Sequence, residues 1–169
     1  MPRDAQGSAR RAELLEKAYA YALQHGLAGM SLRPLAEAIE TSPRVLLYLF
    51  GSKDGLVRAL LARAREAELD GLPPGEVPVA AVWEWLAAPE HRGLLRLWVE
   101  GYARSLVEPD GPWAGFAEAT VADWLAVLRR TLTEPAATAA LALLRGALLD
   151  LLATGDRART TAAVQAFAP

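Results

Sequence analysis

The chain has 169 residues, enough for one domain of ordinary size or for a small domain sharing a core with a larger one. Its 35 alanines and 29 leucines stand against one isoleucine, ten valines and eight threonines, so helix formers far outweigh strand formers and the fold class is all-α. At 53% apolar and 22% charged it excludes long disorder, and its lack of cysteine excludes disulfides, thiolate metal sites and a cysteine nucleophile.

The charge is uneven. Through Glu66 there are ten Lys and Arg against seven Asp and Glu, a net of +3; beyond it there are eight against thirteen, a net of −5. A basic front and an acidic back place any polyanion partner at the front, with chance variation between halves as the plain alternative.

Met1 to Glu13 is polar and basic and lacks the apolar segment of a secretory signal, which fits a cytoplasmic protein. From Arg10 to Leu23 the apolar residues Leu14, Leu15, Ala18, Tyr19, Ala22 and Leu23 recur with helical spacing, and Gly26 suits the end of that helix. Ser31 is a candidate N-cap for a short helix that holds Pro34 in its first turn and runs to about Ile39. Glu40-Thr41 makes a tight turn, and Ser42-Pro43 starts a second short helix that reaches Phe50. Gly51 ends it, and Ser52 caps a longer helix from Lys53 to about Leu69. Two short helices joined by a tight turn and flanked by longer ones form a helix-turn-helix pattern.

In such a pattern the second short helix enters the major groove and its first turn meets the base edges. Here that turn is Pro43, Arg44 and Val45, with Leu47 and Tyr48 one turn on. Arg44 has the fork of donors that reads guanine, and Val45 is the candidate for apolar contact with a thymine methyl. Leu46 and Phe50 are placed to bury against Leu35, Ala36 and Ile39. Lys53, at the start of its helix, makes a phosphate site, and Ser31 and Arg33 are placed to grip the same backbone. The candidate DNA-binding set is therefore Ser31, Arg33, Ser42, Pro43, Arg44, Val45, Tyr48 and Lys53. Taken singly each has a plainer reading: a solvated arginine, a serine that only caps, a tyrosine that covers apolar surface. Their combination carries the inference.

The stretch Met30-Ser-Leu-Arg-Pro-Leu-Ala-Glu-Ala-Ile-Glu-Thr-Ser-Pro-Arg-Val-Leu-Leu-Tyr-Leu-Phe-Gly-Ser-Lys-Asp-Gly-Leu56 resembles the N-terminal domain of tetracycline-repressor-type (TetR) transcriptional regulators. Leu35-Ala36, Ser42, Tyr48, Phe50 and Ser52-Lys53-Asp54 carry the likeness, which at motif level spans about residues 9–65. The chain departs from that family in the turn, where Glu40-Thr41 replaces a common Gly-Val. It departs again at Leu47 and Leu49, where the family commonly has Tyr and His able to contact phosphate. The resemblance implies a helix-turn-helix domain over residues 1–52 and a helical ligand-binding and dimerisation domain over 53–169. It implies a ligand-responsive repressor acting as a homodimer on a double-stranded DNA operator. An effector entering the bundle would shift the helix at 53–69 and so change the separation of the two recognition helices.

The segment Gly71–Pro78, with three prolines and two glycines, reads as a linker. Helices are expected beyond it at roughly 79–88, 90–107, 113–132, 135–154 and 157–167. Trp83, Trp98, Tyr102, Trp113, Phe116 and Trp124 are the candidate ligand pocket, suited to a small apolar or aromatic effector; a tryptophan-rich core explains them equally well. Glu100 and Arg104, one turn apart, read as an i,i+4 pair in preference to ligand anchors. The 135–154 helix is the candidate dimer interface through Leu141, Leu144, Leu148, Leu151 and Leu152, with Gly146 permitting close approach; a buried core helix is the alternative. Its uncharged stretch from Pro135 to Leu144 is ten residues, too short to span a bilayer, so no membrane partner is expected.

Catalysis is not expected. The two histidines, His25 and His91, lie far apart, and the chain has no HExxH, GxSxG or phosphate-binding glycine loop and no Glu-x-x-His, so neither a metal nor a cofactor is expected. The second functional reading is a helical dimeric interaction or small-molecule-binding module that has lost DNA affinity, for which Leu47 and Leu49 are the motive.

Overall fold

The computed structural model describes residues 2–72 and 75–167. Met1, Ala168 and Pro169 lie outside the described residues, as do Pro73 and Pro74 of the expected linker. The described elements are α1 (Pro2–His25), α2 (Leu32–Ala38), α3 (Pro43–Phe50), α4 (Lys53–Asp70), α5 (Val79–Ala87), a 3-10 turn (Pro89–His91), α6 (Arg92–Val107), α7 (Phe116–Leu128), α8 (Glu134–Thr154) and α9 (Arg157–Phe167). The fold is all-α, with no strand among the described residues. Helix α1 starts well before its apolar face, and α7 is shorter than the expected 113–132. Gly115 takes a positive φ of 72° just before α7, and residues 129–131 form a turn after it.

The chain divides into two compact units. The first comprises Met1–Glu66 and Arg96–Ala117, the second Ala67–Leu95 and Glu118–Pro169. The division falls within α4, α6 and α7.

In the first unit, α1, α2 and α3 pack on one another. Leu14, Ala18, Leu35, Ala36, Leu46, Leu56 and Leu60 are buried there, the 3.6-residue spacing of each helix placing them on one face. The Arg11 guanidinium lies 4.9 Å from the Phe50 ring centroid, and Arg63 donates to Glu16 at 2.7 Å while covering the Tyr19 ring. Gly101 of α6 is a close approach: a Cβ there would come within 2.8 Å of Leu61 and 2.9 Å of Phe116.

In the second unit, α8 packs with α5 and α9. Trp83 is buried, and its indole N–H donates to Thr161 Oγ1 at 2.9 Å. Trp124, also buried, donates to the buried Glu68 carboxylate at 3.2 Å. A cavity of about 110 Å³ is lined by Leu86, Pro89, Leu95, Leu151 and Leu152 among others, and by neither Trp83 nor Trp124.

Helix α8 turns its leucines the other way from the expected partner surface. Leu141, Leu144, Leu148 and Leu151, assigned to a partner's surface, are buried in this chain's own core, and Leu152 is half-buried. The stripe they form is the one α8 turns to its own chain. The exposed face carries Thr138, Ala139, Ala142, Gly146, Leu149 and Ala153 instead. The whole helix is long and apolar enough to cross a membrane by length and composition, although its uncharged stretch is not. It also holds Arg145 and Asp150 and buries seven residues within the chain.

Asp150 accepts two hydrogen bonds of 2.7 Å from the Arg159 guanidinium, tying the end of α8 to α9. The adjacent guanidinium lowers the Asp150 carboxyl from its ordinary value. A lowered folded-state value means that the pair stabilises fully above the unfolded carboxyl's range and that this contribution is lost as pH falls from there through the lowered folded value. Asp150→Asn is expected to lower the urea midpoint at neutral pH, with the difference from the parent closing in acid.

Candidate nucleic-acid interface

The site is built from three helix N-termini that the local sequence dictates. Ser31 stands at the N-cap of α2 in extended backbone, and its side chain makes no capping bond. Ser42 caps α3, its Oγ accepting from the Val45 N–H at 3.3 Å. Pro43 follows at the first helical position, where its missing N–H leaves nothing unsatisfied. Ser52 Oγ accepts from the Gly55 N–H at 2.9 Å at the start of α4, and Lys53 is that helix's first residue. The N–H groups that the caps and prolines leave over, with the positive end of each helix dipole, are the kind of group that binds phosphate.

Of the eight candidate residues, Ser31, Arg33, Ser42, Arg44, Tyr48 and Lys53 are exposed, and Pro43 and Val45 are half-buried. All belong to the first unit. The Ser42 acceptor is occupied by the cap, while its O–H remains able to donate. On α3, Leu46 and Phe50 are buried and Leu49 is half-buried, so the outward side consists of Arg44, Leu47 and Tyr48. In the sequence, Leu47 stands out only for the phosphate contact it cannot make.

The turn between α2 and α3 is a Schellman motif. The Thr41 N–H donates to the Ala36 carbonyl at 2.8 Å and the Glu40 N–H to the Glu37 carbonyl at 3.2 Å, which places Glu40 at the left-handed position with φ 55°. Among the described residues Glu40 is the one non-glycine with positive φ. The Cβ of an L-residue is crowded there, and its carboxylate adds a negative charge beside the reading helix.

A second feature is invisible in the sequence. Glu100 of α6 does not pair with Arg104, as its spacing suggests. Its Oε2 accepts the Leu27 N–H at 2.9 Å, and Arg104 instead pairs with Glu108 and lies 5.9 Å from the Trp113 ring centroid. Glu100 therefore ties α6 to the turn between α1 and α2. Gly26, with φ 75°, makes room for it: a Cβ there would stand 3.0 Å from the carboxylate oxygen. No spacing rule links residues 73 positions apart.

The aromatic candidates fall in two groups. Trp98, Tyr102, Trp113 and Phe116 belong to the first unit, where Trp98 and Tyr102 pack at 5.1 Å between centroids. Trp83 and Trp124 belong to the second, where Trp124 packs at 6.3 Å from Trp85. All but Tyr102 are buried. Among the described residues no group of three or more His, Cys, Asp or Glu is placed to hold a metal ion.

Two short helices joined by a tight turn, the second capped by Ser42 and exposing a basic and apolar face, form a helix-turn-helix. Residues 14–60 match the family model of bacterial regulatory proteins, tetR family. Among solved structures, the multidrug binding protein EbrR complexed with imidazole is similar at TM-score 0.72 and 25% identity, over 95% of this chain and 90% of that one. EbrR complexed with proflavin is similar at TM-score 0.71 and 23% identity, over 93% and 98%. A transcriptional regulator from Rhodococcus sp. Rha1 shares the fold at TM-score 0.68 and 20% identity, over 91% of each chain. Among curated proteins none matches by sequence.

Glu40→Gly is expected to raise stability by about 0.5–1 kcal/mol, the relief of left-handed crowding outweighing the entropy glycine adds to the unfolded chain. A higher urea midpoint at unchanged slope checks it.

Proposed function

We propose that this regulator is a homodimeric, ligand-responsive repressor, with residues 1–52 reading an operator and 53–169 binding an effector and a second copy of the chain. The observation that carries the DNA reading is the set of three helix starts in one unit, bearing Ser31, Ser42 and Lys53, together with the exposed Arg44 on α3. The phosphate contacts give register on the duplex, and Arg44 reads a base edge.

The effector is a small apolar or aromatic molecule, a class consistent with the proflavin and imidazole held by EbrR. Trp98, Tyr102, Trp113 and Phe116 are the pocket residues that share a unit with the reading helices; Trp83 and Trp124 serve the core of the second unit. Displacement of α6 by a bound effector would reach the α1–α2 turn through the Glu100–Leu27 bond and move the reading helices, so effector and operator compete. Dimerisation uses the exposed face of α8, where Leu149 is 48% exposed and Gly146 opens on free space, together with the exposed alanines Ala158, Ala162 and Ala166 of α9. A two-fold dimer supplies two half-sites, which one eight-residue recognition helix does not.

The alternative, a module without DNA affinity, draws on Leu47, Leu49 and the Glu40 charge. Fluorescence anisotropy between about 50 and 200 mM salt discriminates the two, because affinity built on phosphate contacts falls steeply over that range. Binding to DNA from upstream of the gene is expected to exceed binding to a scrambled duplex; equal, weak, salt-insensitive binding would support the alternative. Lys53→Ala is expected to weaken all duplexes alike and reduce the salt slope by about one. Leu149→Glu is expected to give monomers by light scattering, whereas a variant that stays dimeric places the interface elsewhere.

A further inference from the structure

Helix α3 exposes an apolar surface that its fold does not use. Among the described residues six large apolar side chains are exposed, and two of them, Leu47 at 41% and Tyr48 at 85%, are consecutive on this eight-residue helix. Leu46 and Phe50 already supply its core packing. Arg44, Leu47 and Tyr48, at i, i+3 and i+4, share one side of the helix, so what Arg44 meets one turn earlier, Leu47 meets alongside. A leucine makes no hydrogen bond to a base edge or a phosphate, and the apolar group that the major groove offers is the C5-methyl of thymine. Val45, the candidate for that role from the sequence, is half-buried, and its amide lies in the Ser42 cap on the flank of the helix.

We propose that Leu47 is a specificity-determining residue that packs on the methyl group of a thymine beside the base read by Arg44. The proposal rests on the reading of α3 as the recognition helix. It makes the leucine a change of recognition chemistry. Packing on a methyl group takes the place of a hydrogen bond to phosphate, so affinity shifts from a term common to all sequences to one that depends on thymine.

The test removes only the methyl. Duplexes are selected from a randomised library by the full-length protein, and each thymine of the selected duplex is replaced in turn by deoxyuridine. Anisotropy titration is expected to show a loss of about three- to fivefold at one thymine per half-site, the size of one buried methyl. Leu47→Ala, an exposed position whose helicity is checked by circular dichroism, is expected to bind the parent duplex more weakly and to be indifferent to that replacement. It is expected to keep its discrimination at the guanine lost in Arg44→Ala. A wild-type protein indifferent to deoxyuridine at every position, or a Leu47→Ala variant that still shows the deoxyuridine loss, overturns the proposal while leaving DNA reading intact. Failure to enrich any sequence overturns the reading of α3 itself and the proposal with it.

Discussion

Helices of seven and eight residues do not hold themselves in water, since nucleation costs more than so few hydrogen bonds return. Everything in the DNA-reading unit follows from that constraint. Helices α2 and α3 persist because Leu35, Ala36, Leu46 and Phe50 are buried in the same unit as Leu14, Ala18 and Leu60, and because serines cap the starts of α3 and α4. Using two sides of α3 for packing leaves one side outward, and that side is narrow: Arg44, Leu47 and Tyr48. A short reading helix thus has little room for redundancy, and one substitution on its outward side changes the kind of interaction it can make.

The turn between the two short helices meets the same constraint from the backbone. The Schellman bonds require a left-handed residue at position 40, and this chain supplies glutamate. The motif is held by two backbone hydrogen bonds and the packing of helices on either side, which together outweigh the crowding at one Cβ. The Glu100 carboxylate does comparable work at the preceding turn, where the Leu27 amide would otherwise lie without a partner at the edge of the core. It ties α6 to the turn between α1 and α2 within the first unit.

Helix α8 shows how composition alone misassigns a face. Its leucines form a wide apolar surface, and in the sequence the four most regular of them look like a surface for a partner. The chain instead turns that stripe inward against α5 and α9 and leaves the small residues outward. An alanine- and glycine-rich exposed face admits close approach of another helix without the aggregation hazard of an exposed leucine ladder.

The sequence by itself determined the helical class, the positions of α2, α3 and the start of α4, and the identity of the candidate interface. Those depend on local chemistry: serine caps, proline at a first turn, glycine or a left-handed residue after a last turn, and 3.6-residue periodicity. Only the tertiary structure decided which apolar faces point inward, since amphipathic periodicity defines a stripe without naming what covers it. Hence Leu141, Leu144, Leu148 and Leu151 are core and Leu47 is surface. The tertiary structure alone also decided the partner of Glu100, because a hydrogen bond between residues 73 apart depends on how helices are brought together and leaves no mark in local spacing.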